Sequence, residues 1–146
     1  MRLAVDASTL VAEMLRERGR RLLENRAFVL VVATEVRGET EHELNKRVAS
    51  MVRHGHLSLD AAEAVRARVE QHFTYRIEVV PRHFYAVSEG EATWRMPRDP
   101  KDVPTVALAL TFECGIWTGG RDFLGCGVPV WTSETLLGCL DYHADV

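Results

Sequence analysis

Cysteine is scarce in this chain: three among 146 residues, Cys114, Cys126 and Cys139, with no C-x-x-C pair. This argues against a disulfide scaffold or a thiolate metal site, and the three read as reduced, small apolar fillers. No apolar run reaches the about 18 residues of a membrane span. No G-x-x-x-x-G-K-S/T stretch occurs, so a P-loop is not expected. The glycine-rich "TGGRDFLGCG" follows no dinucleotide pattern, and no Ser or Cys nucleophile has a convincing His and acid around it. Internal repeats, linkers and low-complexity segments are missing. Positive charge is not in excess: 18 Lys and Arg face 21 Asp and Glu, a net of −3, which argues against a generally sticky nucleic-acid binder.

What is present is an ordinary globular composition, 47% hydrophobic and 27% charged. The length predicts a single domain over residues 1–146, large enough for a real core. Asp6 interrupts "MRLAVDASTL" too early for the apolar region of an export signal, so a cytoplasmic location and no membrane association are expected.

Strands are predicted at "RLAVDA" (Leu3 to Val5), the β-branched run "AFVLVVA", "YRIEVV", "GIWT" and "VPVWT". Pro129 marks the last as an edge strand. Between them, helical patterns run from Ser8 or Thr9 as cap to about Arg18, over Arg20 to Asn25, and from Thr34 as cap to a stop at Gly55. Further helices are predicted over "SLDAAEAVRARVEQHF", "HFYAVSEGEATWRM", the apolar stretch after Asp102, and "SETLLGCL". Strands alternating with helices imply an α/β fold, a parallel sheet covered on both faces.

That alternation places charge. Helices preceding strands begin at the carboxyl edge of the sheet, and every strand-to-helix turn lies there too. Asp6 ends the first strand. Glu35 and Glu39 open the helix after the second. Asp99 and Asp102 open the helix before the fourth, and Asp122 follows it. Acids from four segments fall on the edge where open α/β sheets hold ligands. Singly, most have ordinary readings: Asp102 as an N-cap before Val103 and Pro104, Glu39 as a first-turn acid. Asp6 is harder to dismiss, because a buried acid is costly unless paired or metal-bound. Together the carboxylates repel, and a divalent cation removes that conflict. An all-oxygen donor set suits Mg²⁺ or Mn²⁺, and phosphoryl chemistry is the usual work of such a site.

The segments "LAVDAS", "EVRGETEHEL", "RDPKDVPTVALAL" and "IWTGGRDFLGCGVPVWT", in this order and spacing, resemble the PIN-domain ribonucleases, which include the VapC-type toxins of toxin–antitoxin pairs. The resemblance covers essentially the whole chain. It implies a three-layer αβα fold with a five-stranded parallel sheet ordered 3-2-1-4-5. It also implies Mg²⁺- or Mn²⁺-dependent endonucleolytic cleavage of RNA, with Asp6, Glu39, Asp102 and Asp122 as metal-binding catalytic residues. Glu39 fits better than Glu35 because the family's second acid commonly stands five residues before a helix leucine, here Leu44. Asp102 fits better than Asp99 because the third acid directly precedes the apolar helix. The family further implies an antitoxin partner and a homodimer.

One departure stands out. Where family members read T-x-D after the fourth strand, Thr118-Gly119 is followed by Gly120, with Asp122 two residues on. Thr118 is expected to hydrogen-bond a ligand carboxylate or water. The departure keeps open a second reading, a non-catalytic PIN-like module that binds RNA or a protein through a decayed site. A receiver-like domain would also cluster acids here, but "VWTSETLL" lacks the lysine it needs. "HGH" at His54 to His56 reads as surface loop, Trp117 and Trp131 as core. "RERGRRLLENR" is a solvated helix face or a set of phosphate contacts.

Overall fold

The computed structural model describes residues 1–145. Strands β1 (Arg2–Val5), β2 (Val29–Ala33), β3 (Ile77–Val80), β4 (Gly115–Trp117) and β5 (Val130–Trp131) form one parallel sheet in the order β3-β2-β1-β4-β5. The helices are α1 (Ala7–Met14), α2 (Glu17–Glu24), α3 (Thr34–Arg53), α4 (Leu59–Tyr75), α5 (Arg82–Tyr85), α6 (Glu89–Arg95), α7 (Val103–Phe112) and α8 (Ser133–Ala144). This is the expected three-layer α/β architecture, with β5 at the edge.

The core follows from composition. Leu3, Ala4 and Val5 of β1 and Leu30 to Ala33 of β2 are buried, as continuous apolar strands in a parallel sheet must be. Helix α7 is apolar on nearly every side, and Thr105 to Ala109 are all buried where it crosses β1, β2 and β4. No helix is long and apolar enough to cross a membrane among the described residues.

Several local expectations are corrected. Helix α1 starts at Ala7, so Ser8 and Thr9 lie inside it and neither caps it; it ends at Met14, short of Arg18. Thr34 is the first residue of α3, and its hydroxyl donates to the Val80 carbonyl, tying α3 to the end of β3. The helix expected over 83–96 breaks into α5, a 3-10 turn (Ala86–Ser88) and α6. At the break Thr111 of α7 donates to the Ser88 hydroxyl, a contact across 23 residues that sequence periodicity does not see. Thr132 leaves β5 to cap α8, exchanging hydrogen bonds with Thr135, and α8 runs to Ala144.

Candidate functional site

The chain builds β1, β2 and β3 outward in one direction, then returns to place β4 on the other side of β1. The sheet therefore has its switch point between β1 and β4, where adjacent loops diverge and leave a crevice. Val5 and Trp117 are register partners, so Asp6 and Thr118 leave the sheet side by side. Two hydroxyls hold the loops together. Thr9 accepts the Gly119 N–H at 3.1 Å, joining α1 to the β4 loop, and Thr118 accepts the Gly120 N–H at 3.2 Å within that loop. Thr118 has no carboxylate partner among the described residues; its hydroxyl accepts within the turn, which leaves its proton to donate.

A cavity of about 190 Å³ opens at this point, and Asp6, Glu39, Asp102 and Asp122 all line it, with Asp99 and Lys101. Asp6 is 9% exposed. The Ser8 hydroxyl donates to its Oδ2 at 2.6 Å, while its Oδ1 is buried with no partner. Glu39 is exposed on α3, just over one turn into the helix. Glu35 does not line the cavity; it accepts the Tyr85 hydroxyl at 2.5 Å, and burial followed by this bond holds the tyrosine well above its usual pKa.

The two aspartates of "RDPKDVP" divide their work in an unexpected way. Asp102 was expected to cap α7, and it occupies the position before Val103, but its side chain makes no cap bond. Asp99 caps instead, accepting the Lys101 N–H at 3.0 Å at the start of the 3-10 turn Pro100–Asp102. The turn inserts between cap and helix, and Asp102 is left with a free carboxylate. Its pKa is pushed up to about 6, first by burial and then by repulsion from Asp99, Asp122, Asp6 and Glu39. Those four acids are felt together because the fold has gathered them.

None of Asp6, Glu39, Asp102 or Asp122 forms an ion pair with a lysine or arginine of the described residues. Nor do three of the described His, Cys, Asp or Glu side chains approach closely enough to hold a metal ion as they stand. Glu39 and Asp122 are exposed, however, and have rotamer freedom to close on an ion. The donors are all hard oxygens, one of them a buried oxygen without a partner, and this set fits Mg²⁺ or Mn²⁺. Gly120 does not need its glycine: its φ is not left-handed, and an added Cβ would meet only Asp122 Oδ2 at 3.7 Å and Thr118 Oγ1 at 3.9 Å.

Sequence reasoning missed Glu13. This acid of α1 is 3% exposed. Its Oε1 accepts from Arg18 at 3.1 Å and Arg16 at 3.4 Å, and Arg18 also donates to Glu134 of α8 at 2.6 Å. Two arginines of "RERGRRLLENR" are thus tied into the fold. Close packing of α2 on α1 is a second requirement: a Cβ at Gly19 would lie 2.2 Å from the Glu13 carbonyl oxygen. His54 and His56 are exposed beyond α3. Trp117 is fully buried and donates to the Ser133 hydroxyl, Trp131 is half-buried, and Trp94 is exposed. All three cysteines are free.

A family model described as PIN domain matches residues 4–141. No curated protein matches the chain.

Proposed function

The chain belongs to the PIN-domain family, and from that premise we propose that it is a metal-dependent endoribonuclease, one domain over residues 1–146. The observation that carries this reading is the convergence of four carboxylates with no ion pair at the switch point, felt as the raised pKa of Asp102. Asp6, Glu39 and Asp102 would hold Mg²⁺ or Mn²⁺, with Asp122 as fourth ligand. When bound, such an ion supplies charge stabilisation at the phosphate and makes a water nucleophilic near neutral pH. The chain's own residues do the positioning. Ser8 fixes the rotamer of Asp6, leaving Oδ1 for the ion. Asp99 takes the capping bond, so that both oxygens of Asp102 are left for the site. The Thr9 and Thr118 hydroxyls hold the loop that carries Asp122. In-line attack would leave a 5′-phosphate and a 3′-hydroxyl.

The resemblance of the four acidic segments to VapC-type sequences supports the narrower role of a type II toxin. That role implies a cytoplasmic location, a homodimer, and an antitoxin that places an arginine among the carboxylates. Gly120 supports the second reading, a module that binds RNA or protein without cutting, because the usual acid is missing there. RNA incubated with the protein and Mn²⁺ decides between them. Cleavage abolished by EDTA is expected. RNA bound but left intact supports the non-catalytic module, and cleavage indifferent to EDTA overturns the metal site.

A further inference from the structure

Asp122 differs from the other three acids of the cavity in what carries it. Asp6 ends a strand, Glu39 lies inside α3 and Asp102 adjoins α7, whereas Asp122 stands in the irregular stretch "TGGRDFLGCGVP", residues 118–129. Such a stretch has no ladder of backbone bonds along it, so its course depends on anchors. The β4 end is held at Gly119 and Gly120 by the Thr9 and Thr118 hydroxyls. Beyond Asp122, Phe123 and Cys126 turn inward and are buried, while Asp122, Leu124, Gly125 and Gly127 are exposed. Apolar burial is non-directional. It fixes the depth of the loop and leaves the turn of its backbone open.

The missing direction comes from α6. Arg95, the last residue of that helix, stands 31 residues from Cys126 and donates through Nη1 to its carbonyl at 2.8 Å. Among the described residues this is the one hydrogen bond that reaches residues 121–128 from outside the loop. The other two guanidinium nitrogens, Nε and Nη2, both donate to Glu91 Oε1, at 3.2 and 2.7 Å, one turn back on α6. The fork is therefore held on one edge by its own helix and on the other by the loop, and the side chain is 24% exposed. Gly127 permits this approach in two ways. Its φ is +79°, where an L side chain is strained, and a Cβ there would lie 2.5 Å from Arg95 Nη1. An arginine serving only to pair with Glu91 would need neither the carbonyl nor the glycine. A lysine would reach with a point charge and without the planar fork that meets both partners at once.

We propose that Arg95 is a positioning residue for Asp122, holding the loop through the Cys126 carbonyl so that this carboxylate stays at the acidic cavity. The proposal rests on the nuclease reading for the metal that Asp122 would hold, while the clamp itself is testable without metal or RNA. Two measurements are made on the full chain: Mn²⁺ affinity, from the electron paramagnetic resonance signal of the free ion, and amide hydrogen exchange in EDTA. The proteins are wild type, Arg95→Met, Asp122→Asn, the double variant Arg95→Met/Asp122→Asn, and Arg82→Met, which breaks an ion pair with Glu89 away from the loop. Arg95→Met should weaken Mn²⁺ binding about tenfold, as loss of a group that orients a metal ligand does. In the Asp122→Asn background it should cost nothing further, because residues that act through one another are not additive. Arg82→Met should bind Mn²⁺ as wild type. In EDTA, Arg95→Met should lose protection at the hydrogen-bonded amides of Gly119, Gly120, Leu124 and Cys126 and keep it at Leu30 and Val31 of β2. Equal loss of Mn²⁺ affinity in both backgrounds, no loss in either, or protection lost evenly through the loop and β2 makes Arg95 a merely structural residue and overturns the proposal. Where Arg95→Met does not fold, Arg95→Lys, which keeps charge and stem and loses the fork, takes its place in the same cycle with the same outcomes. The two readings separate. Mn²⁺ binding that depends on Arg95 through Asp122, with no RNA cleaved, sinks the nuclease and leaves the clamp. Mn²⁺-dependent cleavage with no coupling between Arg95 and Asp122 leaves the nuclease and sinks the clamp. A wild type that binds no Mn²⁺ sinks the metal site, and hydrogen exchange alone then decides the clamp.

Discussion

Two buried acids stand within one helical stretch of each other, Asp6 before α1 and Glu13 inside it, and the fold treats them in opposite ways. Glu13 has two arginines on one carboxylate oxygen and a link through Arg18 to a second acid on α8. Asp6 has one serine hydroxyl and four acidic neighbours around a shared cavity. Each leaves one oxygen unpartnered. The charge of Glu13 is balanced by the chain itself, and that of Asp6 is not. A protein able to recruit arginines to one buried carboxylate recruits none to the cluster beside it, and the proposed cation site rests on that contrast.

The contrast can be broken by changing one acid or its partner at a time. Asp6→Asn should lower Mn²⁺-dependent RNA cleavage by more than about a hundredfold, the scale on which even outer partners of a metal matter. Its metal-free melting temperature should stay the same or rise, because one repulsive charge is gone; cleavage at the parent rate would refute the site. Arg18→Gln should do the reverse, leaving Glu13 poorly compensated at a cost of about 2 kcal/mol, less than for a fully buried pair because the arginine is partly exposed. Urea unfolding measures it, and an unchanged midpoint would make the network ornamental. Gly120→Asp sharpens the comparison by adding an acid where a Cβ fits without strain. Mn²⁺ should bind roughly tenfold tighter, about 1.4 kcal/mol, and Asp122→Asn in that background should then cost little. Unchanged affinity in Gly120→Asp, with affinity lost in Asp122→Asn, would mean that Asp122 is already a full ligand.

The smallest effect is on pH dependence. Asp102 titrates near 3.8 unfolded and about 6 folded. Its contribution to metal-free stability is complete below about pH 4 and is lost as the pH rises through about 6, by less than about 1 kcal/mol after solvent screening. His72 acts oppositely, since burial lowers its pKa and its contribution grows as the pH rises. The difference between wild type and Asp102→Asn therefore isolates Asp102: the wild type should lose stability relative to the variant between about pH 4 and 6. Saturating Mn²⁺ should reverse the sign, and no difference in either condition would mean that Asp102 senses no neighbours.

The sheet was legible because β1 and β2 are unbroken apolar runs that only a doubly covered strand can bury. The strand order was legible only through the resemblance, as no apolar pattern distinguishes β4 beside β1 from β4 beside β3. The acids at the carboxyl edge could be placed by topology alone. Which aspartate of "RDPKDVP" caps could not: both precede a proline by one or two residues, and the 3-10 turn decided for Asp99. Glu13 was invisible because an acid in "VAEML" reads as surface until Arg18 of α2, itself held by Glu134 of α8, folds back onto it. Tyr85 binding Glu35 lies across 50 residues. Local patterns predicted what lies along one element and missed what one element does to another.

The hydrogen bond from Gly119 to Thr9 joins residues 110 apart in the chain, and this has a consequence for the order of events during synthesis. The segment bearing Asp6 and Glu39 is made early, but those two acids have no counterpart until Asp102 and then Asp122 have been added. Contacts of such long sequence separation form late, because the intervening chain must first be ordered. A nascent chain that stops before β4 has neither the loop that Thr9 holds nor the last of the four carboxylates. The acidic cavity cannot be assembled on the growing polypeptide until translation has passed residue 122.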